Sequence, residues 1–316
     1  MPGTQDFAAD PRNASALIYL NGALVRREEA KVSIFDSGFV VGDGVWEGLR
    51  LHRGALMFLD AHLDRLYWGA QKIRLDIGLD RTALTRELWR TLDANGMRDG
   101  VHIRVMVTRG EKTAPNQDPR NAIGPATVAI VAEWKLPSQR ILTDGVRLRT
   151  ASIRCTPAEM FDMRLNSHSR LNLITALLEA IDAGADEALM LDPNGFVSSC
   201  NATNFFFVRE GTLMTSKGDY CFNGVTRGNV IRLGEAHGLP LRLGDFTLEE
   251  VSAADEAFVT GTFGGITPVS EIDGHGLPAR LPGPITQRVR SLYEALKDEQ
   301  ARVAPPRPAM SAAPGA

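Results

Sequence analysis

Two short segments place glycine, threonine and arginine where an anion could be held. Asn223-Gly224-Val225-Thr226-Arg227-Gly228 runs directly into an amphipathic stretch. At such a junction the free N–H groups of a helix N-terminus attract negative charge, the glycine admits a ligand close to the backbone, and Thr226 adds a hydroxyl. The same residues also read as a threonine-capped helix with no ligand. Thr260-Gly261-Thr262-Phe263-Gly264-Gly265-Ile266-Thr267, after apolar Glu256–Val259, is a second Gly/Thr-rich loop. Two donor-rich loops in one region favour a phosphate cup more than either does alone.

Three other groups of residues invite chemistry. Arg164-Leu165-Asn166-Ser167-His168-Ser169-Arg170 is almost entirely polar and precedes an apolar stretch, as a pocket wall or a solvated loop would. His52, His62, His102, His168, His237 and His275 all stand at no metal-ligand spacing, and His168 differs from the others in lying within this polar segment. Gly42-Asp43-Gly44-Val45-Trp46-Glu47-Gly48 is one residue too long for a dinucleotide fingerprint and has no clean strand before it, so it reads as a tight turn with a packed helix.

Elements must position these residues. Asn21-Gly22 between Ile18–Leu20 and Ala23–Val25 predicts a hairpin. Leu59, Leu63, Leu66, Ala70 and Ile73 recur at helical spacing, and Val101–Thr108 alternates as a strand with Ala126–Trp134 as its partner. Leu171, Ile174, Leu178 and Ile181 form one stripe of a helix over Arg170–Ala183, ended by Gly184. Strands are predicted at Glu187–Leu191, Asn204–Val208 and Thr212–Thr215, and helices at Thr226–Gly238 and Ile285–Lys297. The pattern is α/β (α+β) in two domains. A mobile arm (1–14) precedes a small α/β domain (15–135), a linker (136–145), a large domain with the phosphate cup (146–300) and a disordered Pro/Ala-rich tail (301–316). Net charge is −3, with 35 basic and 38 acidic residues, which gives no footprint for nucleic acid or anionic membranes. Three scattered cysteines make no disulfide framework. The expectation is a cytoplasmic protein acting on a small molecule, with no nucleic-acid or membrane partner.

Taken together, the motifs resemble the class-IV aminotransferases, the fold-type IV pyridoxal-phosphate enzymes, which include branched-chain and D-amino acid aminotransferases and aminodeoxychorismate lyase. The resemblance runs from about Ile18 to Gly274. It rests on Val32–Phe39 with Gly42–Gly48, on His62-Leu63-Asp64-Arg65-Leu66, and on Ala183–Ala188, Asn204-Phe205-Phe206, Asn223–Arg227 and Gly261-Thr262 with Ile266–Val269. It implies a two-domain architecture, a homodimer, and a pyridoxal phosphate held through its phosphate by Arg65, Gly224, Val225, Thr226 and Thr262.

The departures bear on the chemistry. Asn166 stands where the family has its Schiff-base lysine, in Asp162-Met163-Arg164-Leu165-Asn166 against Asp-Pro-Arg-Val-Lys. Ser199 stands where a glutamate meets the pyridine nitrogen, Arg170 replaces a tyrosine beside the ring hydroxyl, and Val41 replaces a substrate-side tyrosine. An amide cannot form the imine, and a hydroxyl would not keep the ring protonated. None of the lysines (Lys31, Lys72, Lys112, Lys135, Lys217, Lys297) lies in a pocket-forming motif. Three readings stay open. They are a pyridoxal-phosphate aminotransferase whose lysine lies elsewhere or which uses another amine; an enzyme with altered chemistry, including cofactor-independent lyase, isomerase or hydrolase chemistry, through Asn166, His168, Arg170 and Ser199; and a non-catalytic binder of a phosphorylated small molecule.

Overall fold

The computed structural model describes residues 3–305 and residue 307. The chain divides into two compact units. The small unit gathers Ala9–Leu136, Asn166–Ser169 and the stretch from Asp298, and the large unit holds the residues up to Ala8, Pro137–Leu165 and Arg170–Lys297.

In the small unit the strands are β1 (Ile18–Leu20), β2 (Ala23–Val25), β3 (Gly44–His52), β4 (Ala55–Leu56), β5 (Val101–Thr108) and β6 (Thr127–Trp134), in the sheet order β2-β1-β6-β5-β3-β4. The Asn21-Gly22 turn has positive φ at both residues, 48° and 93°, as a two-residue hairpin of this twist requires. Helices α1 (Ser37–Val41), α2 (Leu59–Lys72) and α3 (Arg81–Ala94) complete the unit. Val101, Ile103, Val105 and Val107 of β5 are fully buried with Leu63 and Leu66 of α2 and Leu84, Leu88 and Leu92 of α3 in one core cluster. Each such side chain contributes about 1.5–3 kcal/mol by leaving water. The glycine-rich 42–48 stretch departs from the expected turn and helix. Gly42 closes α1 in the left-handed conformation, and Gly44 already opens β3, because the alternation Val45, Glu47, Leu49, Leu51 outweighs the glycines.

The large unit contains α4 (Gln139–Asp144), β7 (Val146–Thr150), α5 (Ala158–Phe161), α6 (Leu171–Asp182), β8 (Glu187–Leu191), β9 (Val197–Cys200), β10 (Asn204–Arg209), β11 (Thr212–Ser216), α7 (Val225–Ala236), β12 (Leu241–Gly244), α8 (Leu248–Ser252), β13 (Glu256–Gly261), β14 (Gly265–Ile272), β15 (His275–Gly276) and α9 (Pro284–Val303). Its sheet runs β12-β11-β10-β13-β14-β7-β8-β9, with β15 on β14. Phe205, Phe207, Val259 and Val269 line one core, and Phe206 stacks on Phe258 at 5.0 Å on the other face.

Three boundaries need correction. The expected linker 136–145 holds α4, whose Ile141 is buried in the large-unit core, so the thinning of apolar residues there marks a short helix. The expected arm 1–14 has a buried Thr4, a bridge from Phe7 to Pro137, and a 3-10 turn over Pro11–Ser15 capped by Asp10. Of the expected tail 301–316, residues 301–303 finish α9, and most of the rest lies outside the described residues. A further difference concerns α6. Its buried face is Leu173, Ala176 and Ala180, and the stripe of Leu171, Ile174, Leu178 and Ile181 is exposed, each by more than half its surface. Among the described residues no helix is long and apolar enough to cross a membrane.

Candidate active site

The large unit holds Arg170, Ser199, Gly224, Val225, Thr226 and Thr262. Gly224 is the N-cap of α7 and no side chain caps the helix, so its first amides are open to an outside acceptor. The helix therefore starts one residue before Thr226, which is the second helical residue and not its cap. The Thr226 hydroxyl, buried, lies 3.3 Å from the Tyr293 hydroxyl of α9. Asn204, the first residue of β10, fixes the approach: its amide nitrogen donates to the Phe222 carbonyl (2.6 Å) and to Ser199 Oγ (3.1 Å), and its oxygen accepts from Gly224 N–H (3.1 Å). Arg227 holds the same loop from below, donating to the Asn223 side chain (3.2 Å) and the Ser216 carbonyl (2.6 Å). Thr262 begins the turn between β13 and β14, next to Gly261, and Thr260 pairs with Asn204 across the sheet. Arg170 caps α6 with its guanidinium 5.6 Å from the Phe222 ring.

Ser199 is committed to this scaffold. Its buried hydroxyl donates to the Thr203 carbonyl (2.8 Å) while accepting from Asn204. Thr203 Oγ1 in turn donates to Glu187 (2.6 Å), a carboxyl wholly buried on β8. Burial pushes Glu187 up to about 8, against the lowering hydrogen bond from Thr203, so it is protonated at neutral pH.

The small unit holds Arg65, Asn166 and His168, and β3 positions all three. Asn166–Ser169 lies along β3: Ser167 bridges Val45, Trp46 N–H donates to the Asn166 carbonyl (2.9 Å), and His168 N–H donates to the Gly44 carbonyl (3.0 Å). Trp46 Nε1 adds a bond to the Ser167 carbonyl (3.1 Å). The glycines of 42–48 make this approach possible. A Cβ on Gly44 would stand 2.6 Å from the His168 ring and 2.4 Å from the Val107 carbonyl, and one on Gly42 would stand 2.7 Å from Ser169 Oγ. Asn166 is thus buried with its backbone in register. On the same sheet surface Arg104 of β5 stacks over Trp46 at 3.8 Å.

Arg65 is anchored from the other face of β3. It donates from Nε to Glu47 Oε1 (2.6 Å) and from Nη2 to Glu47 Oε2 (2.8 Å), and His62 Nδ1 meets Oε2 at 2.7 Å. Glu47 is wholly buried among apolar neighbours. Burial alone would raise its pKa, but the Arg65 charge and hydrogen bonds, with His62, bring it down to about 2. Sequence reasoning singled out Arg65, passed over Arg104 and Tyr293, and quoted Trp46, Glu47 and Asn204 only as parts of motifs, with no role for any of them. The signal for Glu47 was present, since a carboxylate stood at a core-facing step of an alternating strand, with His62 and Arg65 three apart on a helix.

Pyridoxal phosphate, implied by the resemblance, meets a divided set of groups. The uncapped α7 N-terminus with Thr226 and Thr262 has the donor chemistry of a phosphate seat. The residues that the resemblance sets at the covalent end do not fit the group: Asn166 offers an amide, and Ser199 offers a hydroxyl already bonded within the unit. The one buried lysine among the described residues, Lys112, donates its amine to the Asp118 carbonyl (2.8 Å) in a surface loop.

The sequence matches the family model described as Amino-transferase class IV over residues 44–272. It is 39% identical over 289 residues to Branched-chain-amino-acid aminotransferase-like protein 2 of Arabidopsis thaliana, covering 91% of this chain and 51% of that protein, so the chain spans about half the length of this relative. It is 32% identical to the branched-chain-amino-acid aminotransferase of Pseudomonas aeruginosa, covering 88% of this chain and 91% of that protein. The crystal structure of the branched-chain aminotransferase of Thermoproteus uzoniensis with norvaline superposes with a TM-score of 0.81 at 34% identity, covering 91% of this chain and 97% of that one. The open helix terminus, the β3 scaffold and these likenesses agree, and the chain belongs to the amino-transferase class IV family with its fold-type IV architecture.

Proposed function

We propose that this chain is a class-IV aminotransferase-like enzyme that acts on a small amino acid, amine or keto acid by altered chemistry, without an internal imine to a lysine. The observation that carries the reading is that Asn166, which the resemblance aligns with the family's Schiff-base lysine, is buried with its backbone pinned to β3. The phosphate seat supports a ligand bearing a phosphate, pyridoxal phosphate or another, and the resemblance adds Arg65 to the residues that hold it. Arg104, whose guanidinium faces the surface that carries Asn166 and His168, suits the carboxylate of an amino or keto acid. His168 is the residue of the segment able to exchange a proton near neutral pH, and the backbone bond to Gly44 fixes where its side chain starts. A second reading, a binder without catalysis, has less support, because buried polar groups that serve no ligand cost stability. The exposed α6 stripe supports a homodimer.

The test is borohydride reduction after addition of pyridoxal phosphate. The unsubstituted protein should yield no covalent adduct by mass, and Asn166→Lys should yield one at position 166. An adduct on a native lysine would sink the altered-chemistry reading, and an unmodified Asn166→Lys would show that position 166 is not the family's lysine position.

A further inference from the structure

We propose that Glu47 is a positioning residue for anion binding: it sets the plane of the Arg65 guanidinium, and His62 locks Glu47 in turn. This rests on the reading above that Arg65 meets a phosphate. Three observations carry it. Glu47 sits on the apolar side of β3 between Val45 and Leu49, wholly buried, where a carboxylate has no solvent to serve. Both of its oxygens are used on Arg65, at 2.6 and 2.8 Å, through the Nε–Nη2 edge, the paired geometry that only a guanidinium allows. His62, one turn earlier on α2 and also buried, closes the second oxygen at 2.7 Å, so the carboxylate cannot rotate.

A buried ion pair of this kind seldom adds net stability over apolar residues of the same volume. What it does supply is orientation. With its Nε–Nη2 edge committed to Glu47, the plane of the Arg65 guanidinium is set, and its rotamer freedom is lost on folding and not on binding. The arrangement also predicts the opposite of simple electrostatics. Glu47 is a negative charge beside an anion-binding arginine, so its removal should strengthen anion binding if charge alone mattered and weaken it if orientation matters.

The experiment titrates inorganic phosphate into the full chain by calorimetry and records the phosphate-induced rise in melting temperature for the unsubstituted protein, Glu47→Gln, His62→Gln and Arg65→Ala. The proposal expects Glu47→Gln to lose about tenfold or more in phosphate affinity, with a smaller phosphate-induced rise. Affinity unchanged or increased in a folded Glu47→Gln would overturn it. Should Glu47→Gln fail to fold, His62→Gln decides, since it keeps the ion pair and takes the imidazole away from Oε2. A loss of about threefold is expected there, and an unchanged affinity overturns the proposal. A merely structural tie would lower the melting temperature without altering the phosphate-induced increment. Arg65→Ala separates the two layers: retained phosphate affinity in that variant would refute the role of Arg65 itself.

Discussion

His168 and Glu187 differ in how a side chain can hold or move a proton. His168 is held by its own backbone against Gly44, and we expect His168→Ala to lower turnover about a hundredfold, the usual scale for losing a general acid or base. Turnover assays on amino and keto acids at neutral pH check this, and a rate matching the unsubstituted protein would make His168 a loop residue only. Glu187 keeps its proton up to about 8, while the unfolded chain releases it near the ordinary value of 4.5. The folded state thus binds the extra proton between those values, and stability should fall as pH rises from about 4.5 to about 8. Glu187→Gln mimics the protonated carboxyl, so it should flatten that part of the curve and be a few kcal/mol more stable than Glu187 at pH 8, judged by denaturant unfolding across the range. An unchanged pH slope would show that Glu187 is ionised in the fold.

Among elements, periodic runs were legible and polar strands were not. The 18–25 hairpin and β5 could be placed from alternation and turn residues, since each half-buried strand shows its core face directly. Val197-Ser198-Ser199-Cys200 gave no such pattern, because β9 is buried on both faces and its serines are satisfied by backbone carbonyls such as those of Thr203 and Tyr220. The short α4 was hidden for a related reason, with one buried isoleucine in six residues. The loop proposed to hold a phosphate was singled out by Gly224 and Thr226, whose types serve a local geometry, whereas Asn204 acts from twenty residues away in sequence. Glu47 and Arg65 lie on different elements, and only packing reveals that they are one unit.

For the whole molecule, the α6 stripe is the feature that a single chain leaves unexplained. Leu171, Ile174, Leu178 and Ile181 are exposed on a twelve-residue helix whose buried face is Leu173, Ala176 and Ala180. Leu178→Glu should shift a homodimer toward monomer by at least tenfold in dissociation constant, since burying one such side chain is worth about 1.5–3 kcal/mol. Light scattering across a dilution series checks it, and an identical mass profile for both proteins would place the interface elsewhere. The strip 166–169 has another consequence. Its residues join the small unit, whereas those on either side of it join the large one, so neither unit is a continuous length of chain. A small unit translated only as far as residue 136 would lack the strip that bonds to Gly44 and Trp46 and would carry an open strand edge. During synthesis, then, the Gly44–Trp46 edge of β3 gains this partner only once residue 169 has been made, so Asn166 and His168 reach their places after every strand of the small-unit sheet has been synthesised.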